Sequence, residues 1–150
     1  MLITGTKPPE SSGAEEAGES IADGAVLDFG AGIPGFPASR HFRLENLAPE
    51  LQPFCVTRSV AETGISFVLV APGMLFPHYT IEIDEQQVEA LGLQSADDAL
   101  VLAIITLGPR PTANLLGPLV VNRSTLAAAQ VVQYQSSYRA AEPLTPDPAN

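Results

Sequence analysis

Four carboxylates, Glu82, Asp84, Glu85 and Glu89, crowd one short stretch of this sequence. A pair of them has the residue types for general acid and base work. They also suit a solvated strand edge running into a helix N-terminus, where negative charge is favourable, and that reading is preferred. Soft or imidazole ligands are limited to His41, His78 and Cys55, with none of the close pairings that zinc sites use. A nucleophile needs a base beside it. Ser66 or Ser136 could meet a histidine only through folding, and no G-x-S-x-G elbow is present. P-loop and dinucleotide fingerprints are missing too, because the glycines fall in turns. No catalytic, metal or cofactor site is therefore assigned.

The elements that would carry these residues are mostly strands. Ala99 to Leu107, ALVLAIITL, is a continuous apolar run rich in β-branched residues, which predicts a strand buried on both faces. Gly108, Pro109 and Pro111 end it, and Pro118 delays the next strand to Leu119, Val120 and Val121. Between them the connector Thr112 to Leu116 carries two adjacent leucines, Leu115 and Leu116, so it is read as a loop tucked against the core. Its backbone groups then need partners, and Asn114 is the natural supplier.

Upstream, Ala25 to Phe29 reads as a strand, and Gly30 to Pro37 as a turn rich in Gly and Pro. Ile33 and Phe36 on that turn either plug one end of the fold or join a partner surface. Phe42 and Leu44 alternate with His41 and Arg43, as in a strand with one wet face. Phe54 to Arg58 and Ile65 to Ala71 form the next pair. Tyr79 to Ile83 is a strand with Tyr79, Ile81 and Ile83 inward and Thr80, Glu82 and Asp84 outward. Asp84 with Gln87, then Val88, Leu91 and Gly92, mark a short helix over Glu85 to Leu91. Ser95 with Asp98 repeats the capping pattern, and Gln130 to Tyr134 is the last strand expected. The fold class is mainly β, a small β-barrel-like domain with one short helix.

The chain has 150 residues, 17 acidic against 7 basic, and a formal net charge of -10. This argues against direct binding of nucleic acid, whose affinity comes mainly from Lys and Arg on phosphates, and fits a basic protein partner better. Acidity that merely keeps the chain soluble is the bland alternative. One cysteine forms no internal disulfide. MLITGTKPPE has neither the charged nor the apolar region of a signal peptide, and Ala99 to Leu107 is far short of the ~18 apolar residues of a membrane helix. A cytoplasmic protein is expected. Residues 1–24 are read as a flexible acidic segment with room for a short first strand over Leu2 to Thr4, 25–144 as one domain, and 145–150 as a loose tail.

Three motifs in order, GIPGF at Gly32 to Phe36, FPHY at Phe76 to Tyr79 and TANLLGPLVVN at Thr112 to Asn122, resemble the flagellar assembly factor FliW family. The likeness runs from about Leu27 to Leu144. It departs where Cys55 and Thr57 stand in a region that tends to carry an aromatic and a Gln, and where His78 replaces an acidic residue. The resemblance implies a non-enzymatic protein, a monomer when free, that binds flagellin in a chaperone-like way. It also implies binding of the RNA-binding translational regulator CsrA, antagonised allosterically, with flagellin export freeing the protein to act. On that reading Glu82, Asp84, Glu85 and Glu89 make the partner contacts with Ile33, Phe36 and Tyr79 as apolar anchors, while Asn114, Leu115 and Leu116 are loop architecture. The alternatives are a small-ligand-binding or hydrolytic β-barrel, and a chaperone that holds flagellin alone.

Overall fold

Buried strands must alternate their side chains between two faces, and where both faces are apolar two separate cores are needed. The computed structural model describes residues 1–4, 24–30, 33, 35–36, 38–47, 54–134 and 136–144. The flexible segment expected between Gly5 and Asp23 and the tail after Leu144 lie outside the described residues. The elements are β1 (Leu2–Thr4), β2 (Val26–Asp28), β3 (His41–Asn46), β4 (Cys55–Ser59), β5 (Ser66–Val70), β6 (Thr80–Glu82), α1 (Glu85–Leu91), β7 (Ala99–Thr106), β8 (Thr112–Ala113), β9 (Leu119–Asn122), β10 (Ala128–Gln130) and β11 (Glu142–Pro143).

β7 is the apolar run, and it is central. Along one edge it pairs with β5, and along the other with β9 and then β8, all antiparallel. Ala99, Val101, Ala103 and Ile105 enter one core, with Val70, Val120, Tyr79, Ile81, Ile83 and Leu91. Leu100 and Leu102 enter the other, with Leu27, Phe42, Leu44, Leu69, Leu119 and Val121. Leu107, expected within the strand, is 69% exposed because the strand ends at Thr106 and the Gly-Pro turn follows.

The main sheet has nine strands, ordered β10-β9-β7-β5-β4-β3-β2, with β8 and β11 attached beside β7. It curls around the second core until its ends meet. The Asp28 N–H donates to the Leu126 carbonyl at 2.9 Å, and Asp28 makes a lone parallel bridge with Ala127. The fold is mainly β, but the sheet does not close into a barrel. Both edge strands span three residues, and Leu126, at φ 69°, offers one carbonyl from a turn rather than a ladder.

β1 and β6 form a separate two-stranded ribbon over the first core. α1 follows as its capping signals predict, since Asp84 accepts from the Gln87 N–H at 2.8 Å and Gly92 ends the helix at φ 72°. The last strand sits earlier than Gln130 to Tyr134. Past Gln130 the Val131 and Gln133 N–H groups still donate to Pro118 and Leu116. No ladder answers them, because Pro118 has no N–H and that of Leu116 is taken by the Arg139 carbonyl. Tyr134 accordingly leaves the sheet and is 86% exposed. β8 and β11 are too short to leave a periodic signal.

Asn122 joins the helix, the sheet and the closing turn. Its Nδ2 donates to the Leu91 and Gly92 carbonyls at 2.8 and 3.3 Å, and its Oδ1 accepts from Ser124 and Thr125. The side chain is 3% exposed. Asn122→Ala is expected to destabilise the fold by about 1–3 kcal/mol, the cost of buried polar groups left without partners, measured by chemical denaturation.

Candidate partner-binding surface

β6 alternates as period 2 demands. Tyr79, Ile81 and Ile83 are buried at 2%, 1% and 0% exposure, and Glu82 stands out in solvent. One edge of β6 carries β1, in the register Leu2 with Glu82, Ile3 with Ile81 and Thr4 with Thr80. The other edge is met by two side chains from the far end of the chain. Gln133 accepts from the Glu82 N–H at 2.9 Å and donates to its carbonyl at 3.1 Å. Tyr138 Oη accepts from the Thr80 N–H at 3.0 Å and donates to its carbonyl at 2.8 Å. An amide and a phenol thereby stand in for a missing strand.

The carboxylates of this region are gathered on one rigid unit. Glu82 projects from β6, Asp84 caps α1, Glu85 is in its first turn and Glu89 lies on its exposed side. Among the described residues none of the four joins an ion pair; the pairs present are Arg58 with Glu45, Arg139 with Glu142, and Arg40 and His41 with Asp28. Glu85 and Glu89, at i and i+4 on α1, are neighbours that repel one another, and a cationic surface laid across the unit removes that repulsion.

Tyr79, expected as an anchor, lies inside. Its hydroxyl donates to the Leu115 carbonyl at 2.6 Å, and its ring packs 4.6 Å from that of Tyr138. Burial, with the neighbouring Tyr138, holds that phenol well above the ordinary tyrosine range, so it stays a donor. Ile33 is likewise buried, at 4% exposure, in the second core beside Leu27 and Phe42. The expected plug and the expected surface residue separate on this turn: Ile33 fills the core and Phe36, 37% exposed, packs edge-on to Phe67 at 5.8 Å. A tight turn holds them, with the Phe36 N–H donating to the Ile33 carbonyl at 2.7 Å and Gly35 at φ 93° between them. Phe36 thus sits over a different core from the acidic unit.

The Asn114 to Gly117 loop is saturated with hydrogen bonds. Asn114 Oδ1 accepts from the Gly117 N–H at 2.8 Å, and the Leu115 and Leu116 N–H groups both donate to the Arg139 carbonyl. The Leu116 carbonyl accepts from Gln133, and that of Gly117 accepts from Gln130 Nε2 at 2.9 Å. Leu115 is in the core at 4% exposure, whereas Leu116 is half-buried. A Cβ on Gly117 would meet Gln130 Nε2 at 2.8 Å, so a larger residue there would push aside the end of the Gln130 side chain and its bond to the Gly117 carbonyl.

The other reactive residues are scattered. Cys55 is largely buried, and burial pushes its thiol up to about 11. Ser136 donates its hydroxyl to the Gln133 carbonyl, Ser66 is exposed opposite Arg58, and His41 lies 3.8 Å from Asp28. Among the described residues no three His, Cys, Asp or Glu side chains are grouped as a metal site would need, and no helix is long and apolar enough to cross a membrane. Gln133 and Tyr138 are the residues sequence reasoning missed. Their partners lie 51 and 58 positions away, and neither carries a local signal.

A family model described as FliW protein matches residues 14–144. The flagellar assembly factor FliW of Bacillus licheniformis is 35% identical over 127 residues, 83% of this chain and 88% of that protein. That of Bacillus subtilis is 34% identical over 128 residues, 83% and 89%. A crystal structure of the flagellar assembly factor FliW superposes with a TM-score of 0.76 at 31% identity, covering 85% of this chain and 91% of that one.

Two substitutions separate support from presentation in the loop. Leu115→Ala should cost about 2–5 kcal/mol, as for a leucine removed from a packed core. Asn114→Ala should cost about 1–3 kcal/mol through the orphaned Gly117 N–H. Urea denaturation checks both, and wild-type stability in either variant would contradict the structural role.

Proposed function

This chain belongs to the FliW family, and from that premise we propose that it is a cytoplasmic, non-enzymatic regulator that binds flagellin and antagonises the translational regulator CsrA. The observation that carries this reading is the acidic unit of β6 and α1, four solvent-facing carboxylates on a rigid frame without a cation of their own among the described residues. CsrA, as an RNA-binding protein, must carry positive charge, and opposite charge steers encounter. The net charge of -10 makes direct contact with RNA unfavourable, so an effect on translation passes through a protein. Phe36, exposed over the second core, is the proposed apolar anchor, while Ile33 and Tyr79 support the surface from within.

A domain of this size has little room for two independent interfaces of roughly 800 Å² each, so the two partners are expected to exclude or weaken one another. That is the physical sense of a partner switch: flagellin in the cell occupies the protein, and its export releases the protein to antagonise CsrA.

Binding of CsrA is expected to weaken steeply with salt in calorimetric titrations. Glu82→Lys with Glu85→Lys should weaken it further without lowering the melting temperature, and salt-independent affinity would remove the charge-led interface. In competition, protein preloaded with flagellin should take up no CsrA on size-exclusion chromatography, and the protein alone should shift no labelled RNA. A stable ternary complex would overturn the switch, and capture of flagellin with no affinity for CsrA would leave a flagellin-only chaperone.

A further inference from the structure

The β1–β6 ribbon has two edges, and they are treated differently. In an antiparallel pair, residues that exchange hydrogen bonds alternate with residues whose N–H and C=O point away from the partner. The Ile83 N–H donates to the Met1 carbonyl at 2.8 Å, and the Met1 amine donates back to the Ile83 carbonyl. This fixes the parity. Met1 and Ile3 turn their backbone groups toward β6, and Leu2 and Thr4 turn theirs away from it. On β6 the outward groups are those of Thr80 and Glu82, and Tyr138 and Gln133 satisfy all four of them. The outward groups of Leu2 and Thr4 meet nothing comparable among the described residues.

We propose that the outer edge of β1 is a docking site for an extended basic segment of a partner protein, which adds to the ribbon as a third strand beside Leu2 and Thr4. The inference rests on the acidic unit being the partner surface and supplies the mode of contact. Bare strand edges are normally blunted, and the β6 edge is blunted by two dedicated side chains while nothing among the described residues pairs with the outer edge of β1. Main-chain hydrogen bonds give such an addition its affinity, and side chains on alternate positions give its specificity.

The occupant is set by what flanks the edge. Leu2 and Glu82 are directly opposed in a non-hydrogen-bonded pair, so their side chains lie close together on one face. Leu2 is 66% exposed and Glu82 is exposed, so that face offers an apolar contact and a carboxylate side by side, with Asp84 and Glu85 continuing the charge where the ribbon meets α1. An incoming strand that alternates Lys or Arg with aliphatic residues matches both. A second copy of this chain brings the same acidic ribbon and is repelled. The sequence from Gly5 to Asp23, with Glu10, Glu15, Glu16, Glu19 and Asp23 against Lys7, is a poor match on the same ground.

The test uses the full ¹⁵N-labelled chain and a capped heptapeptide alternating Lys and Val. Amide exchange at Leu2 and Thr4 is expected to slow about tenfold on peptide binding, and Glu82→Lys to raise the peptide Kd about tenfold. Two further peptides are N-methylated, one at every Val and one at every Lys. A paired strand presents alternate amides to the edge, so one of them should bind like the parent and the other should lose affinity. Equal affinity of both methylated peptides, unchanged exchange at Leu2 and Thr4, or exchange already slow in the free protein would each overturn strand addition. If Glu82→Lys with Glu85→Lys still abolishes CsrA binding in that case, the acidic surface stands and its mode of contact falls. If the double variant binds CsrA as before, the surface itself is wrong.

Discussion

Everything in this fold follows from β7 being apolar on both faces. A strand of this kind has no solvent side, so each face must be roofed by something else the chain supplies. The sheet roofs one face by curling round until β2 reaches the turn after β9, and the β1–β6 ribbon with α1 roofs the other. Fully burying each Val, Leu or Ile on the strand is worth about 1.5–3 kcal/mol, which gives both roofs a strong reason to close. The acidic unit is the outer surface of one of those roofs, and its geometry is inherited from the core beneath.

That dependence explains why the ribbon is secured by residues so distant in sequence. β1 and β6 span three residues each, and an isolated two-stranded ribbon of that size is not stable in water. Three attachments hold it down. Ile81 and Ile83 are buried beneath it, Tyr79 is bonded to Leu115, and Gln133 and Tyr138 fasten its edge. The Leu115 and Leu116 amides are held in turn by the Arg139 carbonyl, so the segment from Gln133 to Arg139 braces the ribbon and the Asn114 loop together. The hydrogen-bond network between these parts is closed, and loosening one member unpairs groups in the others.

The parts legible in the sequence were those with local causes. β7 announced itself by continuous apolarity, α1 by Asp84, Gln87 and Gly92, and β6 by strict alternation from Tyr79 to Ile83. The tucked loop was legible for a similar reason, because two adjacent leucines demanded burial and Asn114 offered the amide chemistry to permit it. What escaped were features decided by tertiary contact. Nothing near Gln133 or Tyr138 says that they face Thr80 and Glu82, and nothing in TANLL says that Leu115 rather than Leu116 takes the core position. The expected strand over Gln130 to Tyr134 failed because apolar alternation ignores whether the facing strand has N–H groups to offer. The candidate surface was read in part: alternation and capping place the carboxylates outside and Tyr79 inside, so what failed was the use of Tyr79 as a surface anchor, which its burial and its bond to the Leu115 carbonyl exclude.

The same network bears on how a partner could alter the protein. Glu82 is joined through its own backbone to Gln133, and Gln133 donates through its N–H to the Leu116 carbonyl. A force applied to the acidic face therefore meets the core loop after one intervening residue. Coupling of this kind needs two arrangements of a shared element, since a rigid network only transmits position. Within the ribbon the strand with the least holding it is β1: it has three residues, one edge paired among the described residues, and an exposed Leu2. Local stability is lowest where buried contacts and protected hydrogen bonds are fewest. β1 is thus the part of the ribbon that a ligand can order without disturbing the core, and Ile3, buried at 4% exposure, is the side chain through which that ordering would reach Ile81 and the first core.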